Sequence, residues 1–430
     1  MNVPVNKKYT KLLFGLCWGA YVASYLGRLN YSAVMAEVIA GGHLPAARAG
    51  LVVTAYFIAY GAGQLINGIA GDRIRPKYMV TAGLSISVAA NVIMGSTGSG
   101  ASMAVIWGVN GFAQSMLWPA VVKFISTHMS RNDGIKAIVN ISTSVAAGTL
   151  LVYVTASALL AVSTWRAVFF AAAAVMAAVV PVWYLGAGAV ERHAAGLKPK
   201  SDQTAIPEPN GRQDAAQKTD AGFSEKPRQS ASFVRILYAS GLFPAFIAVL
   251  LQGMLRDGVT TWTPVLVNAY YNLGPSLSAL ITALVPVVSI FGVYASYNIN
   301  RKFFNHEIMT AAALFLLAAL SFALLAAAGA ANIVILILTL AAGISLMHGV
   351  NTMLISMAPM YFADTGKSSS VAGALNAFTY LGSGISSYAI GIMVSGGGWG
   401  TTLASWIVLA AAGMAACLLC RKKWSRFKEV

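Results

Sequence analysis

The chain has 430 residues, of which 57% are hydrophobic and only 10% charged. Soluble domains carry roughly 25% charged residues, so this composition excludes a soluble enzyme or a nucleic-acid-binding module and calls for a multi-spanning membrane protein. The formal charge of +16, which in a soluble chain would point to nucleic acid, has a topological origin here. All but four of the 29 lysines and arginines fall on one side of the predicted membrane. The exceptions are Arg48 and Arg166 on the other side and Arg28 and Arg256 inside apolar runs. Positive charge gathers on the cytoplasmic side of membrane proteins, which predicts that both termini are cytoplasmic.

A short basic tail, 1–11, precedes the first apolar run, 12–38. That run is too long for a cleavable signal and long enough to cross a bilayer at about 1.5 Å of rise per residue. Arg28 lies inside it. On insertion scales an arginine at mid-membrane costs about 2.5–3.5 kcal/mol, so its presence is read as functional. Tyr25 and Tyr21 stand three and seven residues before it, on the same helical face. A guanidinium flanked by phenols in a membrane has the chemistry of an anion site, because its planar fork donates paired hydrogen bonds to carboxylate or phosphate.

Further spans are predicted at 49–70, 78–98, 101–128, 135–161 and 165–188. The stretch 189–232 is rich in Pro, Gln, Lys, Asp and Ser and nearly free of large apolar residues, which predicts a disordered cytoplasmic linker. Six more spans follow at 235–271, 277–299, 308–329, 333–358, 370–395 and 399–419, with a break or kink expected around Gly258 and Pro264 in the first of them. A basic tail closes the chain. The expected architecture is therefore all-α: twelve transmembrane helices in two pseudo-symmetric six-helix bundles, 1–188 and 233–430.

The second half repeats the first. Arg256 follows cytoplasmic Arg235 by nearly the same length of helix as Arg28 follows Lys11, so the two arginines are expected at similar depth. Asp257, next to Arg256, reads either as a local counter-charge or as a proton carrier. His348 lies mid-span in the tenth helix, where a cavity contact competes with simple packing. Asn140, Thr143, Asn376 and Tyr380 are polar groups on the fifth and eleventh spans that line a cavity or join helices. Cys17, Cys417 and Cys420 lie in apolar segments and read as packing. No nucleotide motif is complete, and no cofactor, metal site or enzyme activity is expected.

The loop after the second span carries Gly68, Asp72, Arg73 and Lys77 and resembles the signature of the major facilitator superfamily, with Arg75 where a second glycine is usual. The resemblance implies a cytoplasmic gating role for Asp72 and Arg73. A closer resemblance is to the organophosphate:phosphate antiporter group, which includes the glycerol-3-phosphate and hexose-phosphate transporters. It rests on Tyr21, Tyr25, Arg28 and Asn30; on Gly111, Gln114, Trp118 and Pro119; on Arg256, Gly258, Trp262 and Pro264; and on Gly373, Tyr380, Gly382 and Trp399. It implies that Arg28 and Arg256 clamp an anionic substrate and supports Tyr380 as a cavity-lining contact; Tyr21, Tyr25, Gln64, Thr143, His348 and Asn376 are expected as further substrate contacts. Gln64 stands where the glycerol-3-phosphate transporter has a lysine and Thr143 where it has a histidine, and Asp257 is not the usual neighbour of the seventh-helix arginine. These departures favour a carboxylate or other organic anion over a doubly charged phosphate ester.

The expected function is secondary transport of a small organic anion, a sugar phosphate or a sugar acid, by alternating access. Its partners are that anion, a counter-transported phosphate or a co-transported proton, and the lipid bilayer of a bacterial inner membrane. The protein is expected to work as a monomer. The alternatives are a proton-coupled carboxylate or hexuronate symporter and a transporter-like sugar-phosphate sensor.

Overall fold

The computed structural model describes residues 6–196, 238, 240–365 and 368–428. The predicted linker from 197 to 232 lies outside them. The first half contains α1 (Lys7–Ala40), α2 (Ala46–Arg73), α3 (Pro76–Ser96), α4 (Gly100–Gln114), α5 (Leu117–His128), α6 (Arg131–Val162) and α7 (Trp165–Gly196). The second contains α8 (Phe243–Gly253), α9 (Val259–Tyr271), α10 (Gly274–Thr282), α11 (Leu284–Ile299), α12 (Glu307–Ala328), α13 (Ile333–Asn351), α14 (Ser368–Gly396) and α15 (Gly398–Lys428).

Nine helices among the described residues are long and apolar enough to cross a membrane. The remaining three of the twelve spans are interrupted: α4 with α5, α8 with α9, and α10 with α11. The helix starts follow local chemistry. Asn6 caps α1 by accepting the Tyr9 amide at 3.2 Å, and Asn332 caps α13 through the Val334 amide at 2.8 Å. Pro76 opens α3 at a position where a missing N–H costs nothing.

The interruptions also have local causes. The fourth span, expected as one helix over 101–128, breaks at Ser115 and Met116. Pro119 cannot donate to the Ser115 carbonyl one turn earlier. The Ser115 hydroxyl instead bonds the Phe112 carbonyl at 2.6 Å and accepts Asn67 at 2.7 Å. In the seventh span the irregularity is a π-turn, Met254–Gly258, and the helix then continues through Pro264. The tenth span passes from α13 into a π-turn, Thr352–Met357, and a 3₁₀ segment, Ala358–Thr365.

Two helices run past their predicted ends. α7 reaches Gly196, so 189–196, assigned to the linker, are helical. Val190 is fully buried there and His193 stacks on Tyr9 at 3.9 Å between ring centroids. α15 reaches Lys428, taking up most of the basic tail.

The two halves meet mainly at the end away from the termini. The Thr54 hydroxyl donates to the Gly384 carbonyl at 2.6 Å and the Ser276 hydroxyl to the Ser157 carbonyl at 2.8 Å. Gly50 and Gly391 lie where a Cβ would strike the backbone of the opposite half, so α2 and α14 approach almost backbone to backbone in the small-residue manner of membrane helices.

Candidate functional site

Arg28 is held in place from behind. Gly27 turns its carbonyl into a buried polar cluster, where it accepts Asn110 at 2.8 Å and Asn91 at 3.3 Å. Asn30 donates to Asn91 at 2.6 Å. Ser87 donates to Asn110 at 2.6 Å, and Gln114 donates to Ser87 at 2.8 Å and to the Ser24 carbonyl at 3.2 Å. In a bilayer, a polar group left unpaired costs several kcal/mol, so this network ties α1 to α3 and α4 with little freedom. Gly27 has no room for a side chain against Met176, which brings α7 close on the same side.

In front of α1, the Arg28 guanidinium carbon lies over four phenol rings. The distances to the centroids are 4.6 Å for Tyr60, 5.3 Å for Tyr25, 5.7 Å for Tyr56 and 6.0 Å for Tyr380. Each such contact contributes about 0.5–2 kcal/mol when shielded from water. The guanidinium makes no hydrogen bond or ion pair among the described residues, and its buried Nε has no acceptor. Arg28 is thus oriented by rings but has its donors free.

Arg256 is the opposite case. Its Nε and Nη2 donate to the two carboxylate oxygens of Asp257 at 2.7 and 2.8 Å, and its Nη1 donates to Asn351 at 2.8 Å. Asp257 also accepts the Ser383 hydroxyl at 2.7 Å. Asp257 thus lies in an ion pair with its neighbour Arg256. The π-turn is clamped by α14: Ser386 donates to the Met254 carbonyl at 2.9 Å, and Gly253, Gly258 and Gly382 sit where any side chain would collide across this contact. π-turns within α-helices occur frequently at functional positions.

A cavity of about 520 Å³ lies between the halves. The first half contributes Tyr25, Arg28 and Thr143 to its wall, and the second Arg256, Asp257, His348 and Tyr380. The volume lies within the usual range for small-molecule sites, ~300–1,000 Å³. Thr143 donates to the Asn140 carbonyl at 2.7 Å and accepts the Trp18 indole at 3.0 Å. The His348 ring makes no hydrogen bond among the described residues, although it faces the cavity.

Three of the expected contact residues are not on this wall. Tyr21 packs between Tyr25 and Trp118, with centroids 5.7 and 5.5 Å away, and is 8% exposed. Seven residues from Arg28, its ring is not one of the four that lie under the guanidinium. Gln64 and Asn376 are half-buried, each one turn from Tyr60 or Tyr380 toward the end that carries the termini.

Arg73 is exposed at that end, in a separate basic cleft with Arg75, Lys123 and His128; the Asp72 side chain lies outside the described residues. Lys123, which the sequence reading passed over, donates to the Gly71 and Ile74 carbonyls at 2.6 and 3.2 Å and so caps the end of α2.

Tyr56, Tyr60, Asn351 and Ser383 were also missed. Tyr56 and Tyr60 carry the spacing of one helical face, a signal visible in the sequence. Asn351 and Ser383 are unremarkable until the fold brings them to Arg256 and Asp257. Among the described residues no three His, Cys, Asp or Glu side chains cluster in a way that could hold a metal. The three cysteines are buried and unpaired.

The sequence model of the Major Facilitator Superfamily matches residues 17–387. Three curated proteins give a sense of the relatives. The glycerol-3-phosphate transporter of Bacillus subtilis (strain 168) is 30% identical over 176 residues, covering 40% of this chain and 39% of that protein. The membrane sensor protein UhpC of Escherichia coli (strain K12) is 29% identical over 116 residues, 27% of this chain and 26% of that protein. A probable hexose phosphate transport protein of Chlamydia muridarum (strain MoPn / Nigg) is 25% identical over 133 residues, 30% of this chain and 29% of that protein. The matched stretches therefore span well under half of these relatives.

Among solved structures, a mutant of the nucleoside transporter NupG superposes with a TM-score of 0.71 at 14% identity, covering 95% of this chain and all of that one. A bacterial homologue of the human lysosomal transporter Spinster gives 0.66 at 13% identity, covering 99% and 97%. At such identities the likeness is one of fold.

Proposed function

The chain belongs to the Major Facilitator Superfamily, a family of multi-pass membrane transporters and not of enzymes, and we propose that it carries a small organic anion across a bacterial inner membrane by alternating access. The observation that supports this most is the pair of arginines on one cavity wall, Arg28 from the first half and Arg256 from the second, with the donors of Arg28 unspent. An anion that binds both lowers the free energy of states in which the halves are drawn together around it, and the halves then rock about it.

With both termini cytoplasmic, the contacts Thr54–Gly384 and Ser276–Ser157 between the halves close the outer end, and the cavity is open toward the cytoplasm. Asp72 and Arg73 then act in the cytoplasmic gate. Energy comes from a solute gradient, either exchange for phosphate or symport with a proton.

The test is uptake and counterflow in proteoliposomes. Arg28→Lys is expected to abolish both while the protein still inserts and folds. A lysine ammonium replaces a five-donor planar fork with a point charge and loses the ring stacking. Normal counterflow by this variant would refute the clamp. The same assay addresses a second reading, raised by the sensor among the relatives: a sensor binds the anion but gives no counterflow. Alkalinisation of the external medium during uptake identifies proton symport, and dependence on internal phosphate identifies exchange.

A further inference from the structure

The charged groups on the cavity wall are few, and their balance is specific. Arg28 and Arg256 contribute two positive charges and Asp257 one negative; His348 is the other titratable nitrogen base on the wall. Asp257 is not free to leave. It sits in the π-turn beside Arg256, accepts two N–H donors from that guanidinium and one hydroxyl from Ser383, and is backed by the glycine-dense contact with α14. A carboxylate accepting three donors on both oxygens is bound as the anion.

The donors tell the same story. Of the five N–H groups on Arg256, three are spent on Asp257 and Asn351, which leaves two, enough for one carboxylate oxygen pair. Arg28 keeps all of its own, because the tyrosine rings lie beneath it as π-faces and its guanidinium has no acceptor among the described residues.

We propose that this site is built for a singly charged anion, a small carboxylate, and that the fixed charge of Asp257 discriminates against dianionic phosphate esters. This rests on the anion-binding reading of the cavity. A second negative charge on the ligand would have no second cation to meet, since the free charge of the wall sums to one. It would also lie against Asp257 in a medium of low dielectric, where like charges repel far more strongly than in water. Specificity of this kind comes from a repulsive element placed against the competitor.

The experiment compares two ligands of one carbon skeleton, glucuronate and glucose 6-phosphate, binding to the purified full-length protein in nanodiscs at pH 7.5. Glucuronate is expected to bind about tenfold tighter or more, and Asp257→Asn to erase or invert that preference by shifting the ratio at least about tenfold. A parallel measurement needs no variant. Phosphate monoesters lose their second charge with a pKa near 6, so at pH 5 glucose 6-phosphate is mostly a monoanion, whereas glucuronate stays singly charged. The wild-type ratio of the two affinities should then fall toward one, and His348, common to both complexes, cancels from it.

A wild-type preference for glucose 6-phosphate at pH 7.5, or a ratio unmoved by both Asp257→Asn and acidification, would overturn the charge-balance proposal. Binding of either anion that is indifferent to Arg28→Gln would instead overturn the anion-site reading beneath it.

Discussion

The rings of Tyr60 and Tyr380 meet with centroids 4.6 Å apart, one from each half of the chain, and the Arg28 guanidinium lies 4.6 Å over the first of them. Phe57 extends the contact, with its ring 6.3 Å from that of Tyr380. The cation that the first half presents to the cavity is therefore oriented in part by a side chain of the second half. A movement that separates α2 from α14 removes Tyr380 from Arg28 and changes the site as it opens.

Replacing either ring with an aliphatic residue tests this. Tyr380→Leu and Tyr60→Leu each remove a contact of about 1 kcal/mol from the guanidinium, and anion affinity is expected to fall roughly fivefold. Tyr380→Phe keeps the π-face and should bind nearly as the wild type does. Titration of the purified variants checks this; a Phe variant as weak as the Leu variant would show that the hydroxyl, not the ring, is what matters.

The cluster behind Arg28 predicts a different kind of defect. Asn110→Leu leaves the Gly27 carbonyl and the Ser87 hydroxyl short of partners. Each buried polar group left unpaired costs about 1–3 kcal/mol. The expected result is a lower thermal midpoint together with weaker anion binding, because the same hydrogen bond that stabilises the bundle also fixes the register of α1. Unchanged melting would mean that the network is not needed to hold α1.

The Thr54 hydroxyl bonds the Gly384 carbonyl across the halves at the closed end. Thr54→Val keeps the shape and deletes the bond, weakening that closure by about 1 kcal/mol. The population open at that end should rise roughly fivefold. Thiol labelling of a cysteine placed at Ala47, near the far end of α2, reads this out; labelling no faster than in the Thr54 background excludes a gating role for the bond.

A pH dependence is expected outside the membrane spans. The His306 ring caps α12, with Nδ1 accepting the Met309 amide at 3.2 Å and Nε2 within 3.0 Å of Ser425 on α15. Burial, and then the nearby Lys428 charge, hold its pKa below the usual imidazole value, while Glu307 pulls weakly the other way. The folded state thus favours the neutral ring. The stabilisation is full above the unfolded pKa of about 6.5 and is lost as pH falls through that value toward the depressed folded one. Hydrogen exchange at the end of α15 should accelerate on acidification across this window. His306→Asn, which keeps a capping oxygen, should remove the pH dependence; identical acid sensitivity in that variant would place the switch elsewhere.

Much of the fold was legible in the sequence because membrane insertion is a local criterion. A run of apolar residues long enough to cross the hydrocarbon declares itself without reference to any other part of the chain, so the spans stand where hydropathy puts them. The exception lies where one backbone hydrogen bond decides: Pro119 breaks the fourth span four residues earlier, at Ser115, whereas the irregularity of the seventh span falls at Gly258, one of its two expected positions, and the helix continues through Pro264. The ends of α7 and α15 were read short because charged residues look like loop, whereas Val190 and Trp424 are buried against neighbours that only the fold supplies.

The two intramembrane arginines were equally visible from sequence, since a guanidinium in an apolar run is costly wherever it is found. Beyond their near neighbours Tyr25 and Asp257, what they touch was not. Arg28 sits under rings from α1, α2 and α14, and Arg256 is neutralised by Asp257 with the help of Asn351 and Ser383, residues more than ninety positions further along the chain. Composition and periodicity determined that this protein lives in a bilayer and carries two cations there. The Asp257 partner of Arg256 is its neighbour in sequence; tertiary packing decided that Arg28 keeps its donors free and that Asn351 and Ser383 complete the Arg256–Asp257 pair, because those contacts are set by which helices lie side by side, and no local stretch of sequence encodes that.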